Sequence, residues 1–200
     1  TVPARPAEEN SVSGDPHPTV ELPAATTAFA PVEDLPLPGR YELDPDRFVL
    51  ETTARLLRCP VLRGRFAATA GHLVLDPDQP ELALELDTRS LRTRVPGLAR
   101  LLTDEGGLCA STFPAIRFTS TRMGVTSTRF LDLAGRLEVL GVTRELRLTG
   151  RLAYVDENSV VLWVKGVLPP PRRPLKRGSP PARVIARRPL HLELAAEFAR

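Results

Sequence analysis

The stretch "PELALELDT", residues 80–88, alternates without a fault: Leu82, Leu84 and Leu86 on one side, Ala83, Glu85 and Asp87 on the other. A repeat of two is the signature of a strand with one dry and one wet face. Such a strand is incomplete by itself, because its dry face needs a partner and its edges need neighbours. The pattern recurs seven more times after residue 39, in "RFVLETTAR", "GRFAATAGHLVLDP", "FPAIRFTST", "RFLDLAGRLEVLG", "VTRELRLTGRLAYV", "SVVLWVKGVL" and "LHLELAAEF". Each has an apolar side; in the sixth along the chain, Leu146, Leu148, Gly150, Leu152 and Tyr154 are expected to share it. Gly71 marks an expected bulge, and Asp76-Pro77 an expected turn. Eight one-sided strands predict an all-β fold, an eight-stranded antiparallel barrel whose closure removes the exposed edges.

Two connections are long. Residues 88–113 contain "PGLARLLTDEG", whose Leu98, Leu101 and Leu102 predict one short amphipathic helix between Pro96 and Asp104. Residues 169–189 are Pro-rich and basic and are expected to be irregular. Ahead of the barrel, residues 1–38 are rich in Pro, Ala, Glu and Thr and show no sustained period, so they predict a flexible acidic tail. The domains are then a tail over 1–38 and a barrel over 39–200.

Charge is unevenly spread along the chain. The tail holds six acids against Arg5, while the whole protein carries a formal net charge of +3. Segment 158–192 holds Lys165, Arg172, Arg173, Lys176, Arg177, Arg183, Arg187 and Arg188 and no acid. That block predicts an anion-binding loop or a solvated one. Its only aromatic, Trp163, lies on a strand, so nucleic acid is disfavoured as the partner.

Catalytic and metal-binding constellations are missing from the pattern. His17, His72 and His191 are scattered, and Cys59 and Cys109 match neither a metal spacing nor a CxxC redox motif. There is no Gly-rich phosphate loop and no nucleophile elbow. No apolar run approaches the ~20 residues of a membrane-spanning helix. The chain starts at Thr1, and its first ten residues lack a basic start and an apolar stretch. This favours the cytoplasm, with a removed leader as the alternative. A homodimer is left open.

An eight-stranded barrel is filled by side chains or holds one small ligand. The inward set includes Thr52, Ala54, Ala68, Ser120, Gly135, Gly150, Gly166 and Ala196, and aromatic residues are only 5% of the chain. Small inward residues and few rings predict interior room, lined by leucine and valine and suited to an aliphatic guest. Core packing is the competing reading of the same residues.

The segments "YELDPD", "RGRFAATAGHLVLDPDQPE" leading to "LDTRSLRT", "FPAIRFTST" and "LAGRLEVLGVTRELRL" resemble, in order and spacing, the YceI family of lipocalin-like polyisoprenoid-binding proteins, from about Tyr41 to Phe198. The resemblance implies an extended eight-stranded barrel with a helix in the long connection after the third strand. It also implies a tunnel for a long isoprenoid or other lipid-like chain, with no catalysis, no metal and no catalytic cofactor. The expected ligand-binding residues are inward: Leu50, Leu84, Phe118, Leu133, Gly135, Leu148, Gly150 and Leu194. Arg172, Arg173, Lys176 and Arg177 would meet an anionic head group at the mouth. The chain departs from the family at several places. Arg47 and Phe48 stand where His-Ser is usual, Thr52 replaces an aromatic and Leu56 a histidine. "GGLCAS" replaces an "FF" element, and "PPPRRPLKRGSPPAR" replaces "R-x-x-FG".

Overall fold

The computed structural model describes residues 38–56, 59–126, 129–170 and 180–200. The acidic tail, except Pro38, and residues 171–179 of the basic connection lie outside them.

The alternating segments form ten strands in one sheet: β1 (Gly39–Leu56), β2 (Cys59–Phe66), β3 (Ala68–Leu75), β4 (Glu81–Asp87), β5 (Arg92–Thr93), β6 (Ala115–Val125), β7 (Phe130–Val139), β8 (Val142–Val155), β9 (Ser159–Leu168) and β10 (Leu190–Ala199). β2 and β3 are one long strand broken at Ala67. The upper half of β1 pairs with β2 and its lower half with β3. β5 is a two-residue addition to the edge of β2. The order then runs β1–β3–β4–β6–β7–β8–β9–β10, and β10 returns to β1 through nine residue pairs, Glu42↔Ala199 to Ala54↔Leu190. The barrel is closed, antiparallel and eight-stranded.

Alternation decides what lies inside. Leu82, Leu84 and Leu86 are buried, while Glu85 meets Arg117 on the outer face at 2.8 Å. Outward pairs recur around the wall, including Glu51 with Arg63 and Glu197 with Arg47. A charged wall around an apolar interior is the inverse of a membrane-spanning barrel, whose outer band is apolar. Among the described residues, no helix is long and apolar enough to cross a membrane.

The turn between β7 and β8 shows how local sequence sets register. Leu140 and Gly141 both have positive φ, 56° and 68°, and Val139 pairs with Val142. Two central residues at positive φ make the mirror-image hairpin turn that matches strand twist.

Three local expectations are corrected. The bulge near Gly71 falls one turn of the pleat earlier, between Ala68 and Ala70. Tyr154 is not inward. A register shift between Leu152 and Tyr154 turns it out, to 53% exposure. In the connection expected to be irregular, Pro180–Ala186 forms a helix, α2. Prolines are tolerated in a first helical turn because the N–H they lack has no intrahelical acceptor there. The expected helix is present as α1, Leu98–Thr103, which buries Leu98 and Leu102 but leaves Leu101 exposed.

Candidate functional site

The pairing registers give the barrel two unlike ends. At one, here the base, stand the short turns 76–80, 126–129 and 156–158 and both ends of the sheet at Gly39 and Ala199. At the other, here the rim, stand the β7–β8 turn and the two long connections, 88–114 with α1 and 169–189 with α2.

The base is sealed by the C-terminal residue. The Arg200 guanidinium stands 4.9 Å from the centre of the buried Tyr41 ring, and its Nη2 donates to the Pro38 carbonyl. Its backbone N–H donates to Asn158 O. The inward rows are buried from end to end: Tyr41 and Phe198 near the base and Ala54 near the rim are at 0%, and Leu43 near the base and Leu50 further up keep only 8% and 9%. Packing is close along the whole interior.

A second apolar cluster sits over the rim. Ala54 and Leu62, paired on β1 and β2, meet Leu91, Leu98 and Leu102 from the long connection, with Ile185 of α2 and Leu190 of β10 packed against them. α1 and α2 thus share one small core at the barrel's mouth.

All six expected leucine and phenylalanine ligands, Leu50, Leu84, Phe118, Leu133, Leu148 and Leu194, belong to the one barrel core. Gly135 and Gly150 are buried in the same wall. The room expected beside the glycines is occupied by the protein itself. A Cβ on Gly135 would stand 2.5 Å from Phe118 Cζ. On Gly150 it would stand 2.0 Å from the Trp163 carbonyl oxygen, and on Gly166 2.5 Å from that of Arg147. All three therefore mark close strand approach, since at Gly135 the Thr119 carbonyl oxygen stands 2.6 Å from that Cβ, beside the Phe118 ring. A depression of about 160 Å³, lined by Gly71, His72, Ala83, Glu85, Arg117 and Thr119 among others, is too small for a drug-sized guest, against the ~300–1,000 Å³ usual for such sites. Arg172, Arg173, Lys176 and Arg177 lie outside the described residues.

One polar group stands out from the apolar rows. Thr88 continues the inward alternation of β4 and is 1% exposed; its N–H donates to Pro114 O at 2.9 Å, yet its hydroxyl has no partner among the described residues. Buried hydroxyls are nearly always satisfied, and an orphan marks a place for a water or a ligand atom. Continuing the period of "LELDT" by one step past Leu86 reaches Thr88, so the signal was present in the sequence. The change from leucine to threonine disguised it.

Among the described residues, the titratable groups with shifted pKa values lie on the outer wall, at the rim and beside a base turn. Arg117 and Arg47 are held charged by hydrogen bonds to Glu85 and Glu197, both on the outer wall. Burial lowers the pKa of Arg144, whose Nη2 donates to the Pro169 carbonyl at the rim. No group of three or more His, Cys, Asp or Glu among the described residues could hold a metal ion.

Comparison with known proteins agrees with this geometry. A family model, the YceI-like domain, matches residues 41–168. BcnA of Burkholderia cenocepacia is similar in structure, with a TM-score of 0.61 at 15% identity over 78% of this chain and 98% of its own. So is a polyisoprenoid binding domain from Saccharophagus degradans implicated in plant cell wall breakdown, with a TM-score of 0.57 at 14% identity over 80% and 97%. The Campylobacter jejuni YCEI protein gives 0.58 at 16% over 73% and 89%. At these identities the likeness establishes the fold. No curated protein sequence matches. With a closed barrel of eight strands and the family model matched over most of that barrel, this chain belongs to the YceI-like domain family.

Proposed function

We propose that this protein binds a long apolar chain, a polyisoprenoid or similar lipid, inside the barrel and performs no chemistry on it. The observation that carries the reading is the interior wall of the closed barrel, one continuous apolar cluster from Tyr41 to Phe198. A base closed by Arg200 over Tyr41, with both long connections at the other end, suits a guest that enters at the rim. Each methylene taken out of water contributes roughly 0.8 kcal/mol, so a guest contacting ten of them needs few polar contacts. The name of the Saccharophagus domain, a polyisoprenoid binding protein of the same fold, points to the same ligand class.

The guest's polar end would remain at the rim, with the Thr88 hydroxyl as a buried polar anchor. Arg172, Arg173, Lys176 and Arg177 belong to the connection between β9 and β10 and are the proposed contacts for a phosphate. Titration with a prenyl phosphate and the matching prenyl alcohol tests both parts. Replacing the four basic residues with serine should weaken the phosphate and spare the alcohol. Equal weakening of both would remove the head-group contact.

A second reading, an interaction module that uses the connection 169–189 to hold an anionic partner, rests on the seven basic residues and no acid in that segment. It requires no guest, and a barrel that takes neither prenyl ligand would favour it.

A further inference from the structure

Charge is polarised between the two ends of the barrel, and exposed aliphatic side chains gather at one of them. In the rim connection 88–114, Arg89, Arg92, Arg94 and Arg100 stand against Asp104 and Glu105. In the rim segment 180–189, Arg183, Arg187 and Arg188 stand against no acid. The base turns carry the opposite balance, Asp76, Asp78, Asp156 and Glu157 against Arg129.

Most exposed aliphatic side chains follow the cations, Val49 on the outer wall of β1 being an exception, while the base exposes the aromatic Phe130 and Tyr154. Val95, Leu101, Val142 and Val184 are each about half exposed, and all four belong to the rim. Leu101 and Val184 are the most informative. α1 turns Leu98 and Leu102 inward and α2 turns Ile185 inward, so the rim cluster fixes both helices and leaves Leu101 and Val184 on their outer sides. Arg100 adjoins the first, and Arg183 the second, both exposed.

A single exposed aliphatic residue is ordinary. Four at one end, interleaved with an excess of arginine, form the composition of a surface that lies against lipid: aliphatic groups enter the headgroup layer while cations meet anionic lipids. A soluble acidic partner would need only the charges. We infer that the rim docks on an anionic membrane surface, placing the barrel mouth against the lipid headgroups. An apolar guest could then pass between bilayer and interior without crossing water.

Flotation with vesicles of phosphatidylcholine, with and without phosphatidylglycerol, tests the inference on the full chain. No isoprenoid is present, so the outcome is independent of whether the barrel accepts one. Binding should require phosphatidylglycerol and fall as salt rises, since exposed charges are screened over ~10 Å at 0.1 M. Each basic side chain at an anionic surface is worth about fivefold in partitioning, so replacing Arg92, Arg94 and Arg187 with glutamine should cost roughly a hundredfold. Leu101→Glu with Val184→Glu should also abolish flotation. Phe130→Glu, which changes the 61% exposed aromatic at the base, should leave it intact. Thermal melts confirm that the variants fold. Failure to float with phosphatidylglycerol, or an equal loss with Phe130→Glu, overturns the inference. So does a Leu101/Val184 variant that floats like wild type, which would assign the rim to a purely electrostatic partner such as an acidic protein.

Discussion

Phe118 of β6 covers Gly135 of β7, its ring standing where a side chain on that glycine would have to be. Phe118 retains 6% exposure, whereas Leu133, two residues before Gly135 in the same inward row, has none. One large side chain therefore fills the space that the glycine leaves in the wall. A guest inside the barrel would have to displace that ring or stop short of it.

Phe118→Ala should lower the stability of the free protein by roughly 3–5 kcal/mol, the usual cost of removing a buried phenylalanine ring. A long prenyl alcohol should recover part of that loss by filling the space. Thermal melts with and without the alcohol check this: the ligand-induced rise should be larger in the variant than in wild type.

The two inward glycines should differ in degree. A Cβ on Gly135 meets the Phe118 ring and, at 2.6 Å, the Thr119 carbonyl oxygen, so Gly135→Ala should lower stability by displacing both the ring and the β6 backbone. Gly150→Ala drives a Cβ into the Trp163 carbonyl and Val164 Cα, both backbone, and should disrupt the β8–β9 pairing. Circular dichroism and melting curves of the two variants separate these outcomes.

Thr88→Val removes a buried hydroxyl that has no protein partner. An unsatisfied buried hydroxyl costs about 1–3 kcal/mol, so the free protein should become more stable by some part of that. Binding of a prenyl alcohol should weaken, while a hydrocarbon of equal length should bind unchanged. Destabilisation of the free protein would show that the hydroxyl is already satisfied, by a water.

At the base, the Asp156 carboxylate accepts the backbone N–H of Asn158 at 2.8 Å and of Ser159 at 2.6 Å, and these bonds lower its pKa. A folded-state pKa below the unfolded one contributes stability that is present above the unfolded value and lost as pH falls through the folded value. Asp156→Asn should lower the melting temperature at neutral pH and converge with wild type at acid pH, which flattens the acid limb of the profile. The exposed Tyr154 phenol has its pKa raised, first by its hydrogen bond to Asp156 and then by that charge. Its ultraviolet titration should therefore move down in the same variant.

The strands were legible because one wet face and one dry face write a period of two directly into the residue order, as Leu82, Leu84 and Leu86 do. Tyr154 was misplaced because a bulge shifts the parity without changing composition. α2 was hidden because "PPARVIA" reads as a continuation of a proline-rich loop, although proline suits a first helical turn. The glycines at 135 and 150 gave the right face but not its contents. A small residue leaves room only if nothing across the barrel takes it, and that depends on Phe118 and on strand spacing, which no local pattern carries. The polarity of rim and base could be read only once the pairing had assigned each connection to an end.

Native mass spectrometry of the full chain, purified without detergent and then extracted with organic solvent, tests the central claim most directly. The expected result is a folded population heavier than the bare chain by one guest, with a long-chain isoprenoid or similar lipid recovered in the extract at a matching mass. A bare chain only, which stays bare after incubation with long prenyl alcohols and prenyl phosphates, would contradict a barrel that carries an apolar chain.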